Sequence, residues 1–148
     1  MNYINAMAEK IFVDTNILVY AHDLHAGKKQ AQAKKRITDL WENRLGVLSL
    51  QVLQEFYVTL TQKIKSPITI KEAKDLVEQY SYWEVVSLQT KDLLEAIHQQ
   101  QKYRFSFWDS LIIQAALMGE CSSLLSEDFQ HNQKVGPLTI INPFFDIQ

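Results

Sequence analysis

Short apolar segments alternate with longer amphipathic segments along the chain, and this alternation constrains the fold more than any other feature. The first short run, Ile11-Phe12-Val13, has the length and the β-branched and aromatic content of a buried strand. The longer segments carry apolar residues at helical spacing and open on capping residues such as Ser106. Five such strands separated by helices predict an α/β fold, with a five-stranded, mostly parallel sheet flanked by helices.

The predicted elements follow from this pattern. The strands cover residues 11–13, 47–48, 85–88, 123–125 and 138–141. Helices are predicted over residues 28–44, from Ser49 to about 63, from Thr69 to about 82, from Thr90 to about 103 and from Ser106 to Gly119. The first strand is followed by Asp14, Thr15 and Asn16, which are residue types typical of turns and of helix starts. No repeat or linker interrupts the pattern, which predicts a single domain over residues 1–148.

Composition narrows the class of protein. A chain of 148 residues that is 47% hydrophobic and 22% charged buries enough apolar surface to fold without a metal or disulfide. The single cysteine, Cys121, cannot form an internal disulfide, which favours a reducing compartment. Residues 1–10 lack the basic segment followed by an apolar segment that is typical of a secretory signal, so we expect a cytoplasmic protein. The net charge of −2 argues against nucleic-acid binding by bulk positive charge alone.

Four carboxylates are predicted at one edge of the sheet. Asp14 ends the first strand, Glu55 lies early in the helix after the second, Asp109 lies in the first turn of the helix before the fourth, and Asp128 follows that strand. In a parallel sheet, strand ends and helix starts meet at the carboxyl edge, where sites form. Each acid also has an ordinary interpretation, as a cap, a solvated helix residue or a loop residue.

Four motifs stand in a set order along the chain. They are Asp14-Thr15-Asn16-Ile17-Leu18-Val19-Tyr20, then Glu55, then Phe107-Trp108-Asp109-Ser110-Leu111-Ile112-Ile113, then Leu125-Ser126-Glu127-Asp128-Phe129. This set resembles the PIN-domain ribonucleases, and among them it looks most like the toxins of prokaryotic VapBC-type toxin–antitoxin pairs. The resemblance covers about residues 10–144 and implies a PIN-like fold.

The resemblance implies a metal-dependent endoribonuclease toxin that inhibits translation by cutting RNA. It implies a cognate antitoxin protein, whose tail occupies a groove near the active site, and a homodimer. The implied catalytic and metal-binding residues are Asp14, Glu55, Asp109 and Asp128, supported by Thr15, Asn16 and Ser126. Clustered carboxylates repel one another unless a cation neutralises them, and oxygen ligands select Mg²⁺ or Mn²⁺.

Other readings of the sequence stay open. One alternative is an RNA-processing PIN nuclease without an antitoxin. Another is a non-catalytic PIN module that binds RNA or protein, although such a module normally loses acids and all four candidates remain here. Lys102 and Arg104, shortly before Asp109, are predicted as possible contacts with the RNA backbone. Trp108 is predicted to pack in the core. His22 is predicted to face solvent at a helix end, because no second Cys/His pair accompanies it in the sequence.

Overall fold

A mostly parallel sheet of six strands forms the centre of the computed structural model, which describes residues 9–147. The strands are β1 (Ile11–Val13), β2 (Gly46–Ser49), β3 (Glu84–Val86), β4 (Ser123–Leu125), β5 (Lys134–Val135) and β6 (Leu138–Ile141). Their order across the sheet is β3-β2-β1-β4-β6-β5, and each neighbouring pair is parallel except β5 with β6. The predicted fold class is confirmed.

The predicted number of five strands is one too few for the described residues. The additional strand, β5, has two residues and pairs antiparallel with β6 at the sheet edge. A strand this short carries no apolar run, so periodicity could not indicate it. The segment before Glu9, which contributed to the expectation of no secretory signal, and Gln148 both lie outside the described residues.

Six α-helices connect the strands within residues 9–147. They are α1 (Thr15–His22), α2 (Lys28–Asn43), α3 (Leu50–Val58), α4 (Ile70–Tyr80), α5 (Thr90–Tyr103) and α6 (Phe107–Met118). A π-helical turn, Thr59–Lys63, extends α3. The predicted caps Ser49, Thr69 and Ser106 each accept a hydrogen bond from the backbone three residues later. The start of α5 differs from the prediction, because the cap is Gln89 and Thr90 is the first residue of the helix. The backbone N–H of Gln89 donates to Asp92 Oδ2 at 2.9 Å.

The two central strands are buried on both faces. Phe12 and Val13 in β1, and Leu124 and Leu125 in β4, have no solvent exposure. Successive side chains of a strand point to opposite faces, so helices must cover the sheet on both sides. No helix among residues 9–147 combines the length and the apolar character needed to cross a membrane.

An aromatic cluster fills the space beside α1 and α4. Tyr80 packs against Trp41, Trp83 and His22, with ring centroids 5.4–5.6 Å apart. His22 Nε2 also lies 2.6 Å from the Tyr80 hydroxyl, and burial lowers the pKa of His22. The predicted solvent-facing position of His22 is therefore wrong, because the ring belongs to the packing between helices rather than to a free helix end.

Gly46 supports this cluster from β2, and replacing it provides a test of the packing. A Cβ at this position would lie 2.3 Å from Cζ3 of Trp83. We expect Gly46→Ala to lower the free energy of unfolding by about 1–3 kcal/mol, since the ring has to move out of a packed cluster. Urea titration measures this change. In a Trp83→Leu background the same substitution should cost much less, and equal costs in both backgrounds would show that the ring is not the obstacle.

Candidate active site

The pairing of β1 with β4 places the first two site residues side by side. Val13 lies opposite Leu125 in a parallel register, so the next residues, Asp14 and Ser126, emerge together at the carboxyl edge. Ser126 Oγ donates to Asp14 Oδ2 at 2.6 Å, and the backbone N–H of Thr15 donates to Asp14 Oδ1 at 2.7 Å. The Asp14 side chain is held from two sides and only 4% of the residue is exposed.

Asn16 links the start of α1 to the loop after β4. Its Nδ2 donates to Asp128 Oδ2 at 2.9 Å and lies 3.5 Å from Asp14 Oδ2. The backbone N–H of Asp128 donates to Ser126 Oγ at 3.1 Å. The amide and the hydroxyl thus hold two carboxylates close together in spite of their mutual repulsion.

Glu55 and Asp109 complete the acidic group from two further helices. Thr15 Oγ1 donates to Glu55 Oε1 at 2.7 Å, which ties α3 to α1. Asp109 lies in the first turn of α6, where its backbone N–H bonds to Ser106 Oγ at 3.1 Å. With Asp14 and Asp128, they line one cavity of about 740 Å³, the acidic cavity. The structure therefore brings all four predicted carboxylates together.

Burial and the charge of neighbouring acids disfavour the ionised state of two of these acids, Asp14 and Asp109. Burial raises the pKa of Asp14 to about 7, hydrogen bonds from Ser126 and Thr15 oppose the shift, and the charges of Asp128 and Glu55 add to it. The pKa of Asp109 is also raised, chiefly by burial and then by those same two charges. A nearby cation would reverse these effects, because it favours ionised carboxylates.

The donor set of the acidic cavity suits a hard divalent cation. Its lining side chains offer carboxylate, amide and hydroxyl oxygens and include no His or Cys. Across residues 9–147, no three Asp, Glu, His or Cys side chains are close enough to hold one ion together. Mg²⁺ commonly keeps several waters and uses one or two carboxylates, so the residues fit a hydrated Mg²⁺ or Mn²⁺ rather than an ion enclosed by protein ligands.

Three charged residues of this cavity were not predicted. Asp23, Lys63 and Lys65 line it together with the four acids. Lys63 ends the π-helical turn after α3, where the residue spacing of an α-helix does not hold, so no local pattern in the sequence indicated it. Asp23 is the C-cap of α1, and the sequence carries no signal that indicated it either.

The predicted RNA contacts Lys102 and Arg104 lie outside the acidic cavity lining. Lys102 Nζ is 5.3 Å from the ring centroid of Tyr103, and Arg104 is the C-cap of α5, in the left-handed conformation at φ 59°. Both are exposed. Their contact with RNA stays a prediction.

Glu127 differs from its neighbour Asp128 in its contacts. Its carboxylate accepts hydrogen bonds from the Tyr20 hydroxyl and from Lys29 Nζ, the latter at 2.8 Å. Lys29 also lies over the Tyr20 ring, 5.1 Å from its centroid. Glu127 therefore fastens the loop after β4 to α1 and α2, while Asp128 faces the acidic cavity.

Comparisons with known proteins agree with this architecture. The PIN domain family matches residues 11–135. Among solved structures, the fold is similar to VapC20 of Mycobacterium tuberculosis, described as a sarcin–ricin-loop-cleaving toxin. The TM-score is 0.62, with 16% identity over 80% of this chain and 90% of that one. A chain of a toxin–antitoxin complex from Klebsiella pneumoniae gives a TM-score of 0.65, with 19% identity over 91% of this chain and 98% of that one. The comparison with curated proteins gives no significant match. At these identities the structural likeness establishes the fold alone.

The burial of Asp14 predicts a pH-dependent stability in metal-free protein. Its folded pKa of about 7 exceeds the ordinary 3.8, so the folded protein keeps a proton that the unfolded chain releases. The free energy of unfolding should therefore fall as pH rises from about 4 to about 7, by an amount on the order of a few kcal/mol, and level off above. Asp14→Asn should flatten this dependence in urea titrations with chelator present.

The matched control for this titration is Asp39→Asn, which replaces an exposed carboxylate on α2. This variant should keep the wild-type dependence on pH. A slope that persists unchanged in Asp14→Asn would show that the buried carboxyl is not its source.

Proposed function

The chain belongs to the PIN domain family, and we propose that it is a metal-dependent endoribonuclease acting as the toxin of a toxin–antitoxin pair. The observation that carries the proposal is the convergence of four carboxylates from separate elements on one cavity at the carboxyl edge of the sheet. Bringing these acids together does not stabilise the folded protein, since Asp14 is buried with a raised pKa. Groups kept at such a cost are candidates for catalysis.

The proposed ligands of the cation are Asp14, Glu55, Asp109 and Asp128, acting directly or through water. A divalent ion bound there would supply Lewis-acid chemistry, polarising the phosphodiester and making water more acidic. In the same proposal Thr15, Asn16 and Ser126 orient the carboxylates, a role that rests on their hydrogen bonds of 2.6–2.9 Å to Glu55, Asp128 and Asp14.

The charges around the cavity support an anionic substrate. Carboxylates alone would repel a phosphodiester, so the proposed cation has to precede or accompany RNA. Lys63 and Lys65 offer positive charge from the end of the π-helical turn and the residues after it. Their ammonium groups can attract backbone phosphates, which dominate the affinity of proteins for nucleic acids.

The proposed biological setting is a bacterial or archaeal cytoplasm, with a cognate antitoxin as partner and a homodimer as assembly. The fold shared with VapC20 and with a chain of the Klebsiella complex supports this setting. In this proposal the enzyme acts as one domain that cuts RNA and thereby inhibits translation.

Cleavage of RNA by the purified protein tests the nuclease proposal. Wild type should cut structured RNA in Mg²⁺ or Mn²⁺ and stop when chelator is added. Asp14→Asn and Asp109→Asn should each lower kcat/KM by about 100-fold or more, because a lost ligand to the cation costs several kcal/mol in the transition state. Gel assays with a labelled RNA measure the rates, and circular dichroism checks that the variants fold.

Glu95→Gln provides the matched control. Glu95 lies near the start of α5 and is exposed outside the acidic cavity, so this variant should keep the wild-type rate. Equal cleavage by wild type, Asp14→Asn and Asp109→Asn would identify a contaminating nuclease and contradict the proposal.

Expression in a bacterial host tests the toxin part of the proposal. Induction of wild type should arrest growth and reduce incorporation of labelled amino acids, and the Asp14→Asn variant should do neither. Co-expression of the protein encoded beside this gene should restore growth. Harmless induction of a protein that cuts RNA well in vitro would favour an RNA-processing enzyme instead.

A further inference from the structure

A second cavity lies beside the acidic cavity along the same sheet edge. It has a volume of about 380 Å³ and is bounded by the ends of β2 and β3, the start of α5 and one face of α6. We call it the neutral pocket. Gln51, Gln54 and Trp108 line both cavities and so form the wall between them. A ligand that extends from one cavity would enter the other.

The chemistry of the neutral pocket differs from that of its neighbour. None of its lining residues is charged. Its polar groups are the amides and hydroxyls of Ser49, Gln51, Gln54, Gln89 and Thr90, and apolar side chains form the remaining walls. A phosphate would find no cation here, and a metal ion would find no carboxylate. Apolar walls with a few neutral hydrogen-bonding groups suit a flat, uncharged heterocycle.

Two side chains of the shared wall point to a ligand: the Trp108 ring is exposed, and the amide nitrogen of Gln51 has no hydrogen-bond partner. Trp108 is 62% exposed, although the sequence predicted it in the core. Its indole packs edge-on against Phe107, with centroids 5.0 Å apart. The amide nitrogen of Gln51 is buried and has no hydrogen-bond partner. Burial of an unpaired donor is unfavourable. Because this nitrogen is inaccessible in the present side-chain conformation, the amide has to turn into the pocket before the acceptor of a ligand can pair with it.

From these contacts we propose that the neutral pocket binds a nucleobase of the RNA next to the scissile phosphate, and so sets the sequence preference of cleavage. Trp108 stacks on the face of the base, and Gln51 hydrogen-bonds to its edge. Unstacked RNA bases are recognised in this way, by aromatic stacking and by amides at their edges. This inference rests on the proposed nuclease function and adds a base-recognition subsite to it.

The first arm of the test sequences cleavage products from a pool of structured RNAs with randomised single-stranded loops, cut in Mg²⁺ by wild type and variants. Wild type should enrich one base at a set position beside the cut. Gln51→Leu should flatten that enrichment at least threefold. Trp108→Ala should lower kcat/KM on the preferred sequence by about 5- to 100-fold, the range of one lost stacking contact, and Trp108→Phe should stay within about threefold of wild type.

The second arm needs no cleavage and no metal. Adenosine, guanosine, cytidine and uridine carry no phosphate, so the carboxylates do not repel them. Saturation-transfer NMR in chelator should detect at least one nucleoside bound to wild type and lose its signal in Trp108→Ala. Tyr82→Ala is the control in both arms. Tyr82 is 80% exposed and lies in a different cavity, beside Trp83 and Glu84, so its loss should change neither readout.

The two arms separate failure of the subsite from failure of the nuclease function. Cleavage with the same base profile and rate in wild type, Gln51→Leu and Trp108→Ala would overturn the subsite and leave the nuclease standing. Absence of cleavage by wild type would contradict the proposed nuclease function. The NMR measurement with nucleosides would then decide whether the neutral pocket binds a nucleobase. Variants that cleave normally but fail to bind a co-expressed protein would show that the pocket holds a protein partner, which also overturns the proposal.

Discussion

The parallel pairing of β1 with β4 is the interaction on which the candidate site depends. Val13 opposite Leu125 sets the register, and the next residue of each strand then presents its side chain at the carboxyl edge. A shift of one residue would turn Asp14 to the other face of the sheet, because side chains alternate along a strand. Complete burial of the two apolar partners holds the register, so the packing of the core fixes the geometry of the acids.

The geometry of the site is electrostatically unfavourable for the folded protein. Asp14 is buried among other acids, and its pKa is raised to about 7 even though two hydrogen bonds favour the ionised form. Its hydroxyl and amide neighbours hold the carboxylates in place without removing their repulsion. Burial of the large apolar core has to offset this repulsion for the folded protein to be stable. A cation bound there, as the proposed function requires, would relieve the repulsion and supply Lewis-acid chemistry.

The carboxyl edge of the sheet carries two environments side by side. The ends of β1 and β4 lead to charged groups, and the ends of β2 and β3 lead to uncharged ones. Neighbouring strands are about 5 Å apart, so the change from one environment to the other occurs within the span of a nucleotide step. Trp108 stands at this boundary. Its apolar neighbours on α6 suggested a core residue, but Trp108 is exposed and lines both cavities.

The fold class and most element positions could be predicted from the amino-acid sequence, because hydrophobic periodicity and capping chemistry are local properties. The four acids could be singled out only because their motifs, taken in order along the chain, resemble those of the PIN-domain ribonucleases. The packing of the helices and strands set which acids lie close together. It distinguished Asp128, which faces the cavity, from Glu127, which pairs with Lys29. It also brought Lys63 to the acidic cavity and exposed Trp108 at its wall. Distances between elements far apart in sequence depend on how helices pack across the sheet, and no local pattern in the chain encodes them.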